Sequence, residues 1–192
     1  MKLSNRTKQL LADGLKEMTE TTPFERIRVS ELCRRCGVDR RTFYYHFRDV
    51  YDLAAWIFNR MVEDCLTERD GHFDPRELVG VMNSLYSDPT FYRSALAEDS
   101  QNALGRHVIA HNVAMYEAAA RKLRGTETLP LQDVFAIRYH SIGSVIMIRH
   151  WRFGNLKASP EEMTQLLLGV MPPIMAEIYS PAPPEKGEQN DA

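Results

Sequence analysis

The sequence predicts an all-α protein of about nine helices. Three observations carry that prediction. Apolar residues recur at three- and four-residue spacing nearly throughout the chain. Asp, Ser, Gly and Pro interrupt this pattern at helix-length intervals, and no run alternates apolar and polar residues as a half-buried strand would. The 192 residues, 44% apolar and 26% charged, suit a globular protein with a sizeable core.

The first helix is expected over 4–20, with Ser4 as N-cap and Leu11, Leu15 and Met18 on one face. Thr22-Pro23 ends it, because the residue before a proline is pushed out of the α region. Phe24, Ile27 and Val29 form an apolar connector to a short helix over 30–36, with Ser30 as its local cap. Gly37 closes that helix, being the residue that most easily takes the left-handed conformation. Asp39 caps the next helix, RRTFYYHF, and Asp49 caps another from Val50 to about Arg69.

Asp74-Pro75 and Asp88-Pro89 mark two further helix starts, since Asp caps and Pro suits the first helical position. A long helix over 101–124 stops at Gly125, and another follows Pro130 and stops at Gly154. Ser159-Pro160-Glu161-Glu162 reads as a capping box opening the last helix. Pro172-Pro173 falls inside its apolar pattern, where a kink or break is expected. The tail over 181–192, PAPPEKGEQNDA, is Pro-rich and polar and is expected to be disordered.

Composition narrows the function classes. Three cysteines (Cys33, Cys36, Cys65) are too few for a disulfide framework and fit a reducing cytoplasm. MKLSNRTKQL has no apolar leader, and even VFAIRYHSIGSVIMI is interrupted by Arg138 and His140, so no membrane segment is expected. Charge is unevenly spread. Residues 1–50 carry 11 Lys and Arg against 7 Asp and Glu, whereas the remainder carries 13 against 19. A basic first segment on an acidic chain suits a polyanionic partner for the first fifty residues.

Within that segment, three short helices with a glycine turn between the second and third match a helix-turn-helix. The third helix of such a unit enters the major groove of DNA with its first turn facing bases. Arg40, Arg41 and Thr42 occupy that turn, and arginine can bond guanine through two parallel hydrogen bonds. Helical spacing sends Phe43 and Phe47 inward and leaves Tyr44, Tyr45 and His46 to touch bases and phosphates. The stretch GVDRRTFYYHFRDVYDL resembles the signature of TetR-family transcription regulators, matching at Gly37, Val38, Thr42, Phe43, Tyr44, His46, Phe47 and Leu53. PFERIRVSELCRRCG matches too, through Phe24, Ile27, Val29 and Leu32. More weakly, FYRSALAEDSQNAL and HWRFG resemble the subgroup that regulates dihydroxyacetone kinase operons.

The resemblance implies a helix-turn-helix DNA-binding domain over 1–49 and a helical ligand-binding and dimerisation domain over 50–180. It implies a cytoplasmic homodimer, paired through the last two helices, that reads a near-palindromic double-stranded DNA operator and answers a small-molecule effector. The expected role is that of a repressor, with activator as the alternative. By the same resemblance Arg41, Thr42 and Tyr44 face bases, and Tyr45 and His46 face phosphates; Arg40 either reads a base or steers the approach. Two departures stand out. Val50 replaces a phosphate-gripping lysine, for which Arg48 is a substitute, and Arg28 replaces a capping threonine while remaining able to reach a phosphate.

Cys33 and Cys36 fall where the family has alanines. A zinc site would need two more ligands at metal spacing and a redox motif would need a βαβ unit, so the thiols read as buried packing. No metal and no cofactor are called for.

The larger half is less specific. Leu104, Val108, His111 and Met115 form a stripe with His107 beside it; His107 and His111 are either half of a metal site or, more simply, a hydrogen-bonded pair near Glu98 and Asp99. On the 131–153 helix His140, Ser144, Met147 and Trp151 share one side, and Phe135, Tyr139, Ile142 and Ile146 another. One side could line a pocket and the other a dimer seam. The candidate effector residues are therefore His107, His111, Tyr139, His140, Met147 and Trp151. Met163, Leu167, Val170 and Ile174 form the stripe of the last helix. An enzyme is disfavoured: Ser141 and Ser144 near His140 lie mid-helix with no strained elbow or oxyanion hole. A domain that senses a protein partner remains the competing class, and a filled interior would favour it.

Overall fold

Local signals set most helix ends. In the computed structural model, which describes residues 2–97 and 104–181, ten α-helices carry the fold among those residues. The first, α1 (Lys2–Thr19), starts two residues ahead of Ser4, because Lys2 and Leu3 are good helix formers that continue it. After Pro23 a tight 3₁₀ turn, Phe24–Arg26, buries Phe24. α2 (Val29–Cys36) begins one residue before Ser30; Arg28 is its N-cap and makes no side-chain capping bond, so Ser30 is not the cap. Gly37 ends α2 with φ 63°. Asp39 accepts the Arg41 amide to start α3 (Arg40–His46), and Asp49 accepts the Tyr51 and Asp52 amides to start α4 (Val50–Cys65).

α4 stops four residues short of the expected Arg69. The cause is Asp70-Gly71, whose φ values of 51° and 87° reverse the chain. Two-residue turns with positive φ at both positions match the twist of a hairpin. Strands β1 (Glu68–Arg69) and β2 (His72–Phe73) pair antiparallel around it, which corrects the expectation of no strand. A 3₁₀ turn capped by Asp74 leads into α5 (Leu78–Ser87), and Asp88 caps α6 (Pro89–Leu96). α7 (Leu104–Arg124) and α8 (Leu131–Arg152) follow. The capping box at Ser159 opens α9 (Pro160–Gly169). Pro172-Pro173 breaks the last expected helix, and α10 (Pro173–Ile178) is the extra one. Glu98, Asp99, the start of the expected 101–124 helix and the tail from 182 lie outside the described residues.

α1 packs on α2, α4 and α6, and α2 on α3. α4 then joins the larger half through α5 and α7, while α7 lies along α8 and α10 closes over both. A single apolar core runs from Leu11 in α1 to Tyr179 beyond α10. The two halves meet at Phe24, whose ring lies 5.0 Å from that of Tyr51 and 6.5 Å from that of Phe91. The Phe24 amide donates to Ser94 Oγ at 3.2 Å, and Lys16 pairs with Asp88 at 3.0 Å. At the far end Arg124 bridges Glu177 and the buried Asp133, and the hydroxyls of Tyr116 and Tyr179 bond at 2.8 Å. No helix among the described residues is long and apolar enough to cross a membrane.

The α1–α2 contact is closest at Gly14, where an added Cβ would stand 2.3 Å from Cys36 Sγ. The Cys36 thiol itself donates to the Leu10 carbonyl at 3.5 Å. Gly14→Ala should therefore destabilise the protein by about 1–3 kcal/mol through overpacking. Adding Cys36→Ala should restore most of that loss in urea unfolding; a double mutant no more stable than Gly14→Ala would locate the strain elsewhere.

Candidate nucleic-acid interface

α3 divides sharply by face. Phe43 and Phe47 are buried, their rings 5.9 Å apart, and they fix the helix against the core. Their burial turns the opposite side of α3 outward. Arg40, Arg41, Tyr44 and Tyr45 are exposed there, Tyr45 at 82%, while Thr42 and His46 are half-buried. Side chains on this face are partly ordered by one another. The Tyr44 ring meets the edge of Phe43 at 5.5 Å, and the Arg40 guanidinium lies 6.0 Å from the Tyr44 centroid. The His46 ring stands edge-on to Tyr45 at 4.9 Å.

The flanks complete this surface. Arg28, exposed, precedes α2. Arg48 follows α3 with its side chain 77% exposed; its amide donates to Asp52 Oδ2 at 3.0 Å, and its Nε lies 3.7 Å from the same oxygen. Val50 is buried and fills core space at the start of α4, so the position of the missing lysine serves packing in this chain. Lys8 of α1 belongs to the same region although nothing in its local sequence points there. Its ammonium lies 5.7 Å from the Phe47 ring and 5.8 Å from that of Trp56. Burial, with Lys8 adding to it, holds the His46 imidazole below its ordinary pKa. The neutral ring is thereby favoured.

The cysteines lie on the other side. Cys33 is buried and Cys36 half-buried, and desolvation pushes both thiols above their ordinary pKa. Among the described residues no three His, Cys, Asp or Glu side chains are grouped to hold a metal ion.

The six candidate effector residues do not share one chamber. His140 lines an interior space of only about 50 Å³ with Met115, Tyr116 and Ser144, and its Nε2 lies 3.3 Å from Ser144 Oγ. Burial lowers the pKa of His140. Trp151 is buried as a structural wedge: its Nε1 donates to the Ala158 carbonyl at 2.8 Å and its ring stacks on Tyr86. Tyr139 and Met147 face outward, away from that space. His107 and His111 are half-buried on α7, and His111 alone of the pair lines a separate cleft against α4.

On the outer side of α8, Leu131, Phe135, Tyr139, Ile142 and Ile146 form an exposed apolar stripe, with Phe135 and Tyr139 stacked at 6.1 Å. Leu166 of α9 and Val170 just beyond its end are exposed as well. Val170, at 72% exposure, therefore does not share the buried stripe of Met163, Leu167 and Ile174.

No family model matches the chain. A curated protein, the HTH-type dhaKLM operon transcriptional activator DhaS of Lactococcus lactis subsp. lactis (strain IL1403), is 24% identical over 100 residues. That match spans 52% of this chain and about half, 54%, of the relative. Among solved structures, the dihydroxyacetone kinase operon activator DhaS superposes with a TM-score of 0.60 at 19% identity, covering 90% of this chain and 96% of that one. A TetR transcriptional regulator from Rhodococcus sp. RHA1 gives 0.56 at 16% identity, covering 90% and 98%. NalD, the secondary repressor of the MexAB-OprM multidrug efflux pump in Pseudomonas aeruginosa, gives 0.50 at 15%, covering 87% and 96%. The helix-turn-helix on a ten-helix frame, with these superpositions over nearly the whole chain, identifies the fold as that of the TetR-type transcription regulators.

Proposed function

We propose that the chain is a sequence-specific DNA-binding transcription regulator that acts as a homodimer. The observation that carries this reading is the outward face of α3, where Arg40, Arg41, Tyr44 and Tyr45 stand exposed on a helix anchored by Phe43 and Phe47. In this reading Arg41, Thr42 and Tyr44 meet base edges in the major groove. Tyr45, His46, Arg28 and Arg48 meet phosphates, which position the helix without reading sequence. Arg40, lying over the Tyr44 ring, is directed along the same face.

The exposed stripe on α8 and the exposed Leu166 and Val170 support pairing of two copies through the last helices. A two-fold dimer would present its recognition helices about 34–36 Å apart, one turn of DNA, and would read a near-palindrome. The similar proteins include both activators and a repressor, so this fold serves either sign of regulation. An effector would act by its difference in affinity between dimers with different head spacing. The interior space beside His140, about 50 Å³, is too small for a metabolite of ordinary size, which supports the competing class, a domain that senses a protein partner.

Purified protein should retard fragments from its own promoter region at low salt; retardation of none of them would overturn the reading. Arg41→Ala should weaken binding and relax base preference at one position by about 1–3 kcal/mol. Arg48→Ala should instead weaken all sequences alike and reduce the salt slope by about 0.9. Equal behaviour of the two variants would refute that division of roles. Tyr139→Glu should convert the dimer to monomer in sedimentation equilibrium with little change in helix content, and a persistent dimer would move the seam elsewhere.

His46 gives a pH test. Its pKa is depressed in the free protein, and a neighbouring phosphate would raise it, so binding would take up a proton. Operator affinity should therefore rise as pH falls from about 8 to about 6, across the ordinary range of histidine. His46→Gln should flatten that rise.

A further inference from the structure

Lys8 of α1 stands at the end of α3 opposite to Arg41, and nothing in the helix-turn-helix motif accounts for its charge. Its ammonium lies 5.7 Å from the centroid of Phe47, the residue that ends α3, and 5.8 Å from that of Trp56 on α4. The two rings meet edge to face at 6.0 Å and form one apolar wall under the cation. Lys8 is half-buried, as expected of a lysine whose stem packs on such a wall while its head stays at the surface. His46 belongs to the same corner: its ring lies 6.2 Å from that of Phe47, and the Lys8 charge acts on it.

The carboxylates on the adjoining turns are engaged elsewhere. Asp13 accepts from Gln9 at 2.9 Å, and Asp49 accepts the Tyr51 and Asp52 amides at 2.9 Å. Asp52 accepts the Arg48 amide at 3.0 Å and lies 3.7 Å from the Arg48 guanidinium. Arg48 therefore shares its charge with Asp52, and Val50 contributes none. Lys8 pairs with no carboxylate among the described residues, so it is the positive charge at this corner that no acid offsets. A ring face attracts a cation without neutralising it, so Phe47 and Trp56 orient Lys8 and leave its charge available to an anion.

We propose that Lys8 is a phosphate-binding residue of the DNA interface, and that α1 thereby supplies, beside the C-terminal end of α3, the backbone contact that the buried Val50 cannot make. Packing of the stem orders the side chain before DNA arrives, which reduces the conformational entropy lost when the contact forms. The contact reads no base. It sets how the C-terminal end of α3 lies on the duplex, while Arg41, at the other end, meets a base edge. The assignment rests on the DNA-binding reading above and adds to it a residue from outside the motif.

The test titrates the full chain and its variants onto a promoter fragment and onto an unrelated duplex of equal length, over a series of salt concentrations. Lys8→Met keeps an unbranched stem against Phe47 and Trp56 and removes the charge. It should weaken binding to both duplexes alike, by about three- to tenfold per half-site at low salt, and lower the salt slope by about 0.9 per half-site. Lys8→Arg should keep the slope of the unaltered chain. Arg60→Met is the control for net charge, because Arg60 lies one turn beyond Trp56 on α4, exposed and beside Asp64; it should leave the slope unchanged. An unchanged slope in Lys8→Met, even with a lowered melting temperature, would make Lys8 a packing residue and overturn the proposal. So would a loss confined to the promoter fragment, or an equal fall in slope for Arg60→Met. Tight binding by the unaltered chain alongside any of these results leaves the regulator standing without the Lys8 contact, whereas no binding of the unaltered chain to either duplex would overturn both.

Discussion

The burial of Phe24 is the contact on which the rest of the architecture depends. Its ring sits between Tyr51 of α4 and Phe91 of α6, and its amide is tied to Ser94. One residue of the connector between α1 and α2 thereby joins the helix-turn-helix to two helices of the larger half. Aromatic pairs of this kind add about 0.5–1.5 kcal/mol beyond the area they bury. With the packing of α1 on α4 and α6, this joint holds the segment that carries α3 against the larger half.

Much of the fold was legible because its signals are local. Asp39, Asp49, Asp88 and Ser159 each cap the helix the sequence assigns to them, since a side-chain oxygen two or three residues from an orphan amide acts independently of tertiary context. The hairpin was missed because two-residue strands are too short to show alternation. Its one signal was Asp70-Gly71, a dipeptide favoured in two-residue turns. Ser30 misled because the chain leaves the extended conformation at Arg28, with ψ 140°, and Val29 is already helical, which puts Ser30 inside the first turn of α2 and not at its cap.

The candidate sites divide on the same principle. Phe43 and Phe47 inward with Tyr44 and Tyr45 outward followed from helical period alone, since α3 has one clear inner face. α8 is apolar around much of its circumference, so period could not say which side meets the core. His140 and Trp151 went in, while Tyr139 and Met147 went out. The cleft beside His111 depends on a hairpin folding back onto α7, a long-range contact with no one-dimensional trace. Lys8 beside His46 is a product of the same kind of packing.

Asp88 holds two partners from different parts of the chain. Its Oδ1 accepts the Phe91 amide that starts α6, and its Oδ2 pairs with Lys16 of α1. One carboxylate thus closes the first turn of a helix in the larger half and anchors the first helix of the smaller one. Fraying of α6 and release of α1 each remove one of its two partners. The start of α6 and the last turn of α1 are thus coupled through a single side chain, by the modest amount that a partly exposed ion pair can carry.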